Sequence, residues 1–155
     1  MTIEKEIKQT KPFKNTVEKT MVNVMYTNNW FCDRQFKLLK KHGITVQQYN
    51  VLRILKGRHP EPITINGIIE RMLDKMSNAS RLVDKLLQKG YVDRNYRSDD
   101  RRACDVLITE AGMSFLEKVS TELYKLEQDM IDLDEEDLET LNTLLDKLRN
   151  GKDSE

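Results

Sequence analysis

The stretch that most constrains this chain runs from Ser77 to Gln88, where apolar residues fall at Ala79, Leu82, Val83, Leu86 and Leu87. Spacings of three and four residues gather these side chains into one stripe, so the segment is an α-helix that buries one face. The opposite face carries Ser77, Arg81, Asp84 and Gln88, flanked by Asn78, Ser80 and Lys85. Small polar side chains allow close approach to a DNA groove, and Ser, Asn and Arg bond to bases or phosphates. The same face also suits a solvated surface, the ordinary fate of an amphipathic helix.

The residues that follow narrow the choice. Gly90 stands where a glycine ends a helix. Tyr91–Tyr96 reads as a strand, Arg97–Arg102 as a polar turn, and Ala103–Ile108 as the returning strand. Thr109 then caps a new helix, with Glu110 in its first turn. A β-hairpin with Arg97, Arg101 and Arg102 at its tip, beside a helix-turn-helix, is a wing. Its tip belongs on the DNA backbone or in the minor groove next to the recognition helix.

The run Asp100-Arg101-Arg102-Ala103-Cys104-Asp105-Val106-Leu107-Ile108-Thr109-Glu110-Ala111-Gly112 resembles the wing signature of MarR-type regulators, D-x-R-x-x-x-V-x-L-T-x-x-G. It departs at Leu107-Ile108, where that family has a polar residue and Leu. Ser80 to Val92 is similar to the family's recognition helix and following strand. The resemblance implies a mainly α chain with a small β-hairpin wing: a winged helix-turn-helix with N- and C-terminal dimerisation helices. It implies one domain over residues 1–155, with dimerisation helices at 13–42 and 110–150 and the DNA-binding module at 44–109. It also implies an obligate homodimer on a palindromic double-stranded operator. The regulator so implied is a repressor whose operator affinity falls when a small aromatic or anionic effector binds.

Charge distribution agrees with a DNA partner although the formal net charge is zero. Residues 71–102 hold nine basic and five acidic side chains, residues 1–70 twelve and six, and residues 103–155 five and fifteen. A basic middle faces DNA and an acidic C-terminal part faces away. No apolar run reaches the ~20 residues that span a membrane, and the N-terminus lacks a signal-peptide pattern. Cys32 and Cys104 are far apart without metal-ligand spacing, so a reduced, cytoplasmic protein without metal or cofactor is expected.

Along the chain, residues 1–12 read as a frayed arm ending at Pro12. A long helix follows from about Phe13 to Lys41, with Val17, Met21, Val24, Phe31 and Leu38 on one face. Thr45 caps a second helix, Val46 to about Lys56, before the loop 57–62. Ile63 adds a short third strand, and either Thr64 or Asn66 caps a helix through Leu73. Gly67 inside that helix costs about 1 kcal/mol relative to Ala. The next turn lacks the glycine usual there; Leu73-Asp74 stands in its place, and Asp74 is a candidate cap for the following helix. Beyond Gly112, Leu116, Val119, Leu123, Leu126 and Met130 alternate by three and four, a coiled-coil seam. Leu138, Leu141, Leu144, Leu145 and Leu148 form a last stripe, after an acidic restart at 132–137.

Candidate residues follow. In the recognition helix they are Lys75, Ser77, Asn78, Ser80 and Arg81, with Arg81 for a guanine edge or a phosphate. Asn78 and Ser80 suit capping or solvent as well. In the wing they are Arg97, Asp100, Arg101 and Arg102, with Arg102 in the minor groove; a surface Asp–Arg pair is the plainer reading. Val17, Met21, Leu123, Leu126, Leu141, Leu145 and Leu148 line the expected dimer interface, against which stands packing within one chain. Tyr26, Trp30, Phe36 and Tyr49, with Phe31 and His42 nearby, form either core or an effector pocket. His42, near a helix end, suits a C-terminal cap.

Other classes have less support. A thiol redox-sensing regulator needs a reactive cysteine near the start of the first helix, where the family's peroxide-sensing branch has it; Cys32 lies well inside. A winged protein-interaction module without DNA binding has no reason to keep both a wing arginine and a basic face. An enzyme lacks its parts here: no phosphate-binding glycine loop, no nucleophile set, and only His42 and His59 as neutral-pH bases.

Overall fold

The structure, a computed structural model, describes residues 1–96 and 104–151. Its elements in chain order are α1 (Ile3–Glu6), α2 (Thr16–Lys41), α3 (Val46–Arg58), β1 (Ile63–Thr64), α4 (Ile65–Arg71), α5 (Ala79–Gln88), β2 (Val92–Tyr96), β3 (Cys104–Ile108), α6 (Glu110–Met130) and α7 (Glu135–Asn150). The chain divides into two compact units, Met1–Ser120 and Thr121–Glu155, and the division falls within α6. The mainly helical fold with a small antiparallel sheet is the one the sequence implies.

Local chemistry starts each helix where a polar side chain satisfies free N–H groups. Asn15 accepts from the Glu18 N–H at the head of α2. Thr45 and Gln48 form a reciprocal capping box at α3. Thr64, rather than Asn66, accepts from the Gly67 N–H at α4. Asp134 accepts from the Asp137 N–H at α7. Helix α3 runs through Gly57 to Arg58, past the expected end near Lys56, and His42 sits at the C-cap of α2.

In the first unit, β1, β3 and β2 form an antiparallel sheet in that order. Ile63 pairs with Val106, and β2 pairs with β3 from Val92–Ile108 to Tyr96–Cys104. Alternate residues of β3, Cys104, Val106 and Ile108, are buried, as the two-residue period of a strand dictates. They close a core with Val51, Leu52 and Leu55 of α3, Ile68 of α4, and Val83 and Leu86 of α5, where these elements pack on one another. Burying each such side chain stabilises the fold by about 2 kcal/mol. Gly67 belongs to this packing: a Cβ there would come within 2.7 Å of Ile63 Cγ1, so its low helix propensity is offset by the close approach of β1 to α4.

Residues 1–12 are not the frayed arm expected. Ile3 is buried, Glu4 pairs with Lys19 Nζ at 2.7 Å, and the Tyr26 hydroxyl donates to Glu6 at 2.7 Å. The Lys19 ammonium, by its hydrogen bond first, holds the Glu4 carboxyl down at about 2. A four-residue helix has no sequence periodicity to announce it; its partners on α2 hold it in place.

The seam expected on α6 also differs. Leu116, Val119 and Leu123 are already covered within the single chain, while Leu126 and Met130 are half-buried. On α2 only Leu39 is fully buried, and Val17, Met21 and Met25 stand exposed. The second unit holds the rest of α6 and α7, where Leu141, Leu144 and Leu148 are exposed and Leu138 and Leu145 half-buried. Among the described residues, no helix is long and apolar enough to cross a membrane.

Candidate nucleic-acid interface

Helix α5 buries Ala79, Val83 and Leu86, a stripe narrower than the sequence suggested, with Leu82 half-buried and Leu87 40% exposed. Its polar face is open: Ser80, Arg81, Lys85 and Gln88 are exposed. The helix begins at Ala79, two residues later than expected, because Asn78 is the cap and accepts from the Arg81 N–H at 3.1 Å. Ser80 and Arg81 therefore occupy the first turn, where free N–H groups and the helix dipole favour an anion.

The turn between α4 and α5 is built from side chains. Asp74 is not the cap of α5. Its carboxylate accepts from the Met76 N–H at 3.0 Å and from the Ser77 hydroxyl at 2.8 Å, folding the turn on itself. These bonds, the Ser77 hydroxyl foremost, hold its carboxyl below the usual 3.8. Asn50 of α3 accepts from the Leu73 N–H at 3.0 Å. Lys75 donates to the carbonyls of Glu70 and Ile69, satisfying the C-terminal end of α4. Of the five recognition-helix candidates, then, Ser80 and Arg81 are exposed without such a duty. Lys75, Ser77 and Asn78 first hold the turn and the cap.

The hairpin is fastened to α5 by a pair the sequence did not disclose. Arg94 of β2 meets Asp84 of α5 at 2.7 Å, with the guanidinium largely covered. Residues ten apart with no shared period carry no sequence signal of such a pair. At the other end, the Thr109 hydroxyl donates to the Gly90 carbonyl at 2.8 Å and accepts from the Gly112 N–H at 3.0 Å. The Thr109 N–H donates to the Tyr91 carbonyl at 3.1 Å. A Cβ on Gly112 would lie 2.1 Å from that same carbonyl oxygen, so only glycine fits. Thr109 and Gly112 of the wing signature thus stitch the start of α6 to the end of α5. Tyr91 also stacks on Phe115 at 4.3 Å, and His42 meets Phe115 edge-on at 6.3 Å. The wing candidates Arg97, Asp100, Arg101 and Arg102 lie outside the described residues.

Each of the four effector candidates has its own surroundings in the single chain. Tyr26 bonds to Glu6, Tyr49 is buried with its hydroxyl 3.0 Å from Ser120 Oγ, and Phe36 is 49% exposed. Trp30 is half-buried, with the Arg34 guanidinium 4.1 Å above its ring. The Cys104 thiol is buried in β3, and burial pushes its pKa up, which disfavours the reactive thiolate. Cys32 is half-buried, its Sγ 3.7 Å from Asn28 Oδ1.

Three kinds of likeness bear on this arrangement. Residues 42–103 match the model of the MarR family. The HTH-type transcriptional repressor MdtR of Bacillus subtilis is 35% identical over 81 residues, 52% of this chain and 51% of that protein. The chain spans about half the length of the curated relatives it matches. Staphylococcus aureus MepR in complex with DNA superimposes with a TM-score of 0.72 at 21% identity, over 84% of this chain and 96% of that one. BpsR of Bordetella bronchiseptica, whose DNA binding is regulated by 6-hydroxynicotinic acid, gives a TM-score of 0.76 at 14% identity, over 92% and 100%. At these identities the two structures speak for the fold.

Proposed function

We propose, from the premise that this chain belongs to the MarR family through its winged module, that it is a sequence-specific regulator of transcription that binds double-stranded DNA. The observation that carries the reading is the exposed first turn of α5, with Ser80 and Arg81 on a helix fastened to a hairpin wing. Small polar and guanidinium groups at that turn suit the major groove, while the wing reaches the neighbouring groove. The family is one of transcription regulators rather than enzymes.

The finer reading is a homodimeric repressor relieved by a small aromatic or anionic effector. Exposed Val17 and Met21 on α2, and Leu141 and Leu148 on α7, support a second copy, because a two-fold dimer matches a palindrome. The repressor MdtR and the ligand-regulated BpsR support the response. An effector that favours a dimer with misplaced recognition helices lowers operator affinity by that preference. Of the four aromatic candidates, Trp30 under Arg34 best suits an aromatic anion, offering a ring and a cation together.

The test is binding of the purified protein to the DNA upstream of its own gene, against an unrelated duplex, at two salt concentrations. Preferential binding that survives the higher salt supports a specific regulator. Equal, salt-erased binding to both duplexes leaves only an electrostatic surface and refutes the reading.

A further inference from the structure

The turn between α4 and α5 exposes two large apolar side chains. Leu73 is 88% and Met76 94% exposed, whereas their neighbour Met72 is buried. The backbone that carries them is bonded at both places. The Leu73 N–H is bonded to Asn50, and the Met76 N–H to Asp74, whose other oxygen takes the Ser77 hydroxyl.

The surroundings select the partner. Arg71, Lys75 and Arg81 are all exposed and flank the two apolar residues along the chain, the Lys75 ammonium also holding the Glu70 carbonyl at the end of α4. Glu70, 3.8 Å from Arg71, and Asp74 are the acids nearby, and the Asp74 carboxylate is turned onto the turn's own donors. An apolar pair flanked by cations is matched by the major groove, where the 5-methyl group of thymine lies between two rows of phosphates. The turn also leads directly into the first turn of α5, the part of a recognition helix that meets base edges.

We propose that Leu73 and Met76 read thymine methyl groups in the major groove, and so set part of the base preference of this protein. The inference rests on the DNA-binding reading above and deepens it. Affinity for thymine here comes from apolar area removed from water, not from hydrogen bonds, so each methyl contributes about fourfold in binding.

The full chain is used to recover a preferred duplex from a random pool. Thymines of that duplex are then replaced one at a time by uracil, which removes only the methyl. Binding is compared for the wild type, Leu73→Ala and Met76→Ala; both side chains are exposed, so the variants keep the core. The expected result is a loss of about fourfold at one or two thymines per half-site in the wild type, absent at the matching thymine in one variant. Equal uracil effects in all three proteins, or none, overturn the inference while leaving DNA binding standing. Failure to enrich any duplex overturns both. A change in the sedimentation of the free protein in either variant shows that a second copy covers the tips, and also overturns it.

Discussion

Arg81 stands exposed in the first turn of α5, its backbone N–H taken by the Asn78 cap and its guanidinium directed to solvent. Arg81→Ala is expected to weaken binding to a preferred duplex by about 1–3 kcal/mol and to relax the preference at one base pair of each half-site. Binding titrations against single-base variants of the duplex check this; an unchanged affinity removes Arg81 from the interface. Gly112 is the opposite kind of residue, conspicuous for what it lacks. Gly112→Ala places a methyl where the Tyr91 carbonyl already is, and is expected to destabilise the protein by about 3 kcal/mol. Denaturant unfolding measures it, and a midpoint equal to wild type would show that α6 can shift away from Tyr91 at little cost. The wing signature was legible at Thr109 and Gly112, yet the reason for the pair was not, because the carbonyls they meet belong to Gly90 and Tyr91, some twenty residues earlier.

Among elements, α5 and the β2–β3 hairpin were the most legible, since each repeats its period over enough residues to outweigh local noise. The α4–α5 turn was not. Without a glycine it is closed by side chains: Asp74 on its own Met76 and Ser77, and Asn50 from α3. The spacing Asp74-x-x-Ser77 was the available signal, an Asp bonding its own turn. The consequence depends on pH. The folded carboxyl of Asp74 lies below its ordinary 3.8, so the turn gains stability above that value and loses it as pH falls through the lowered one. Asp74→Asn is expected to remove this dependence, so that acid titrations of wild type and variant, followed by circular dichroism, converge as pH drops below 3.8. Parallel curves throughout would mean that the carboxylate carries no such load. Helix α1 was illegible for a different reason: Ile3, Glu4 and Glu6 mean nothing until Lys19 and Tyr26 face them.

For the whole molecule, the apolar stripes were legible but their destinations were not. A period of three and four does not say whether a leucine is covered by its own chain or by another. Leu123 is covered in the single chain, while Leu141 and Leu148 are not. If the chain forms the proposed dimer, Leu141→Asp with Leu148→Asp is expected to halve the sedimenting mass and keep the helical content; a mass unchanged from wild type would dismiss α7 from that proposed dimer. Leu123→Asp is expected to unfold the chain instead, because it buries a charge. The stitch at Thr109 has a further bearing on movement. With the Gly90 and Tyr91 carbonyls tied to Thr109, and Gly112 pressed against Tyr91, the end of α5 and the opening turn of α6 have no slack between them. On the DNA-binding reading proposed above, a twist of the opening turn of α6 is expected to pass to the end of α5 and to shift the proposed contact of Arg81.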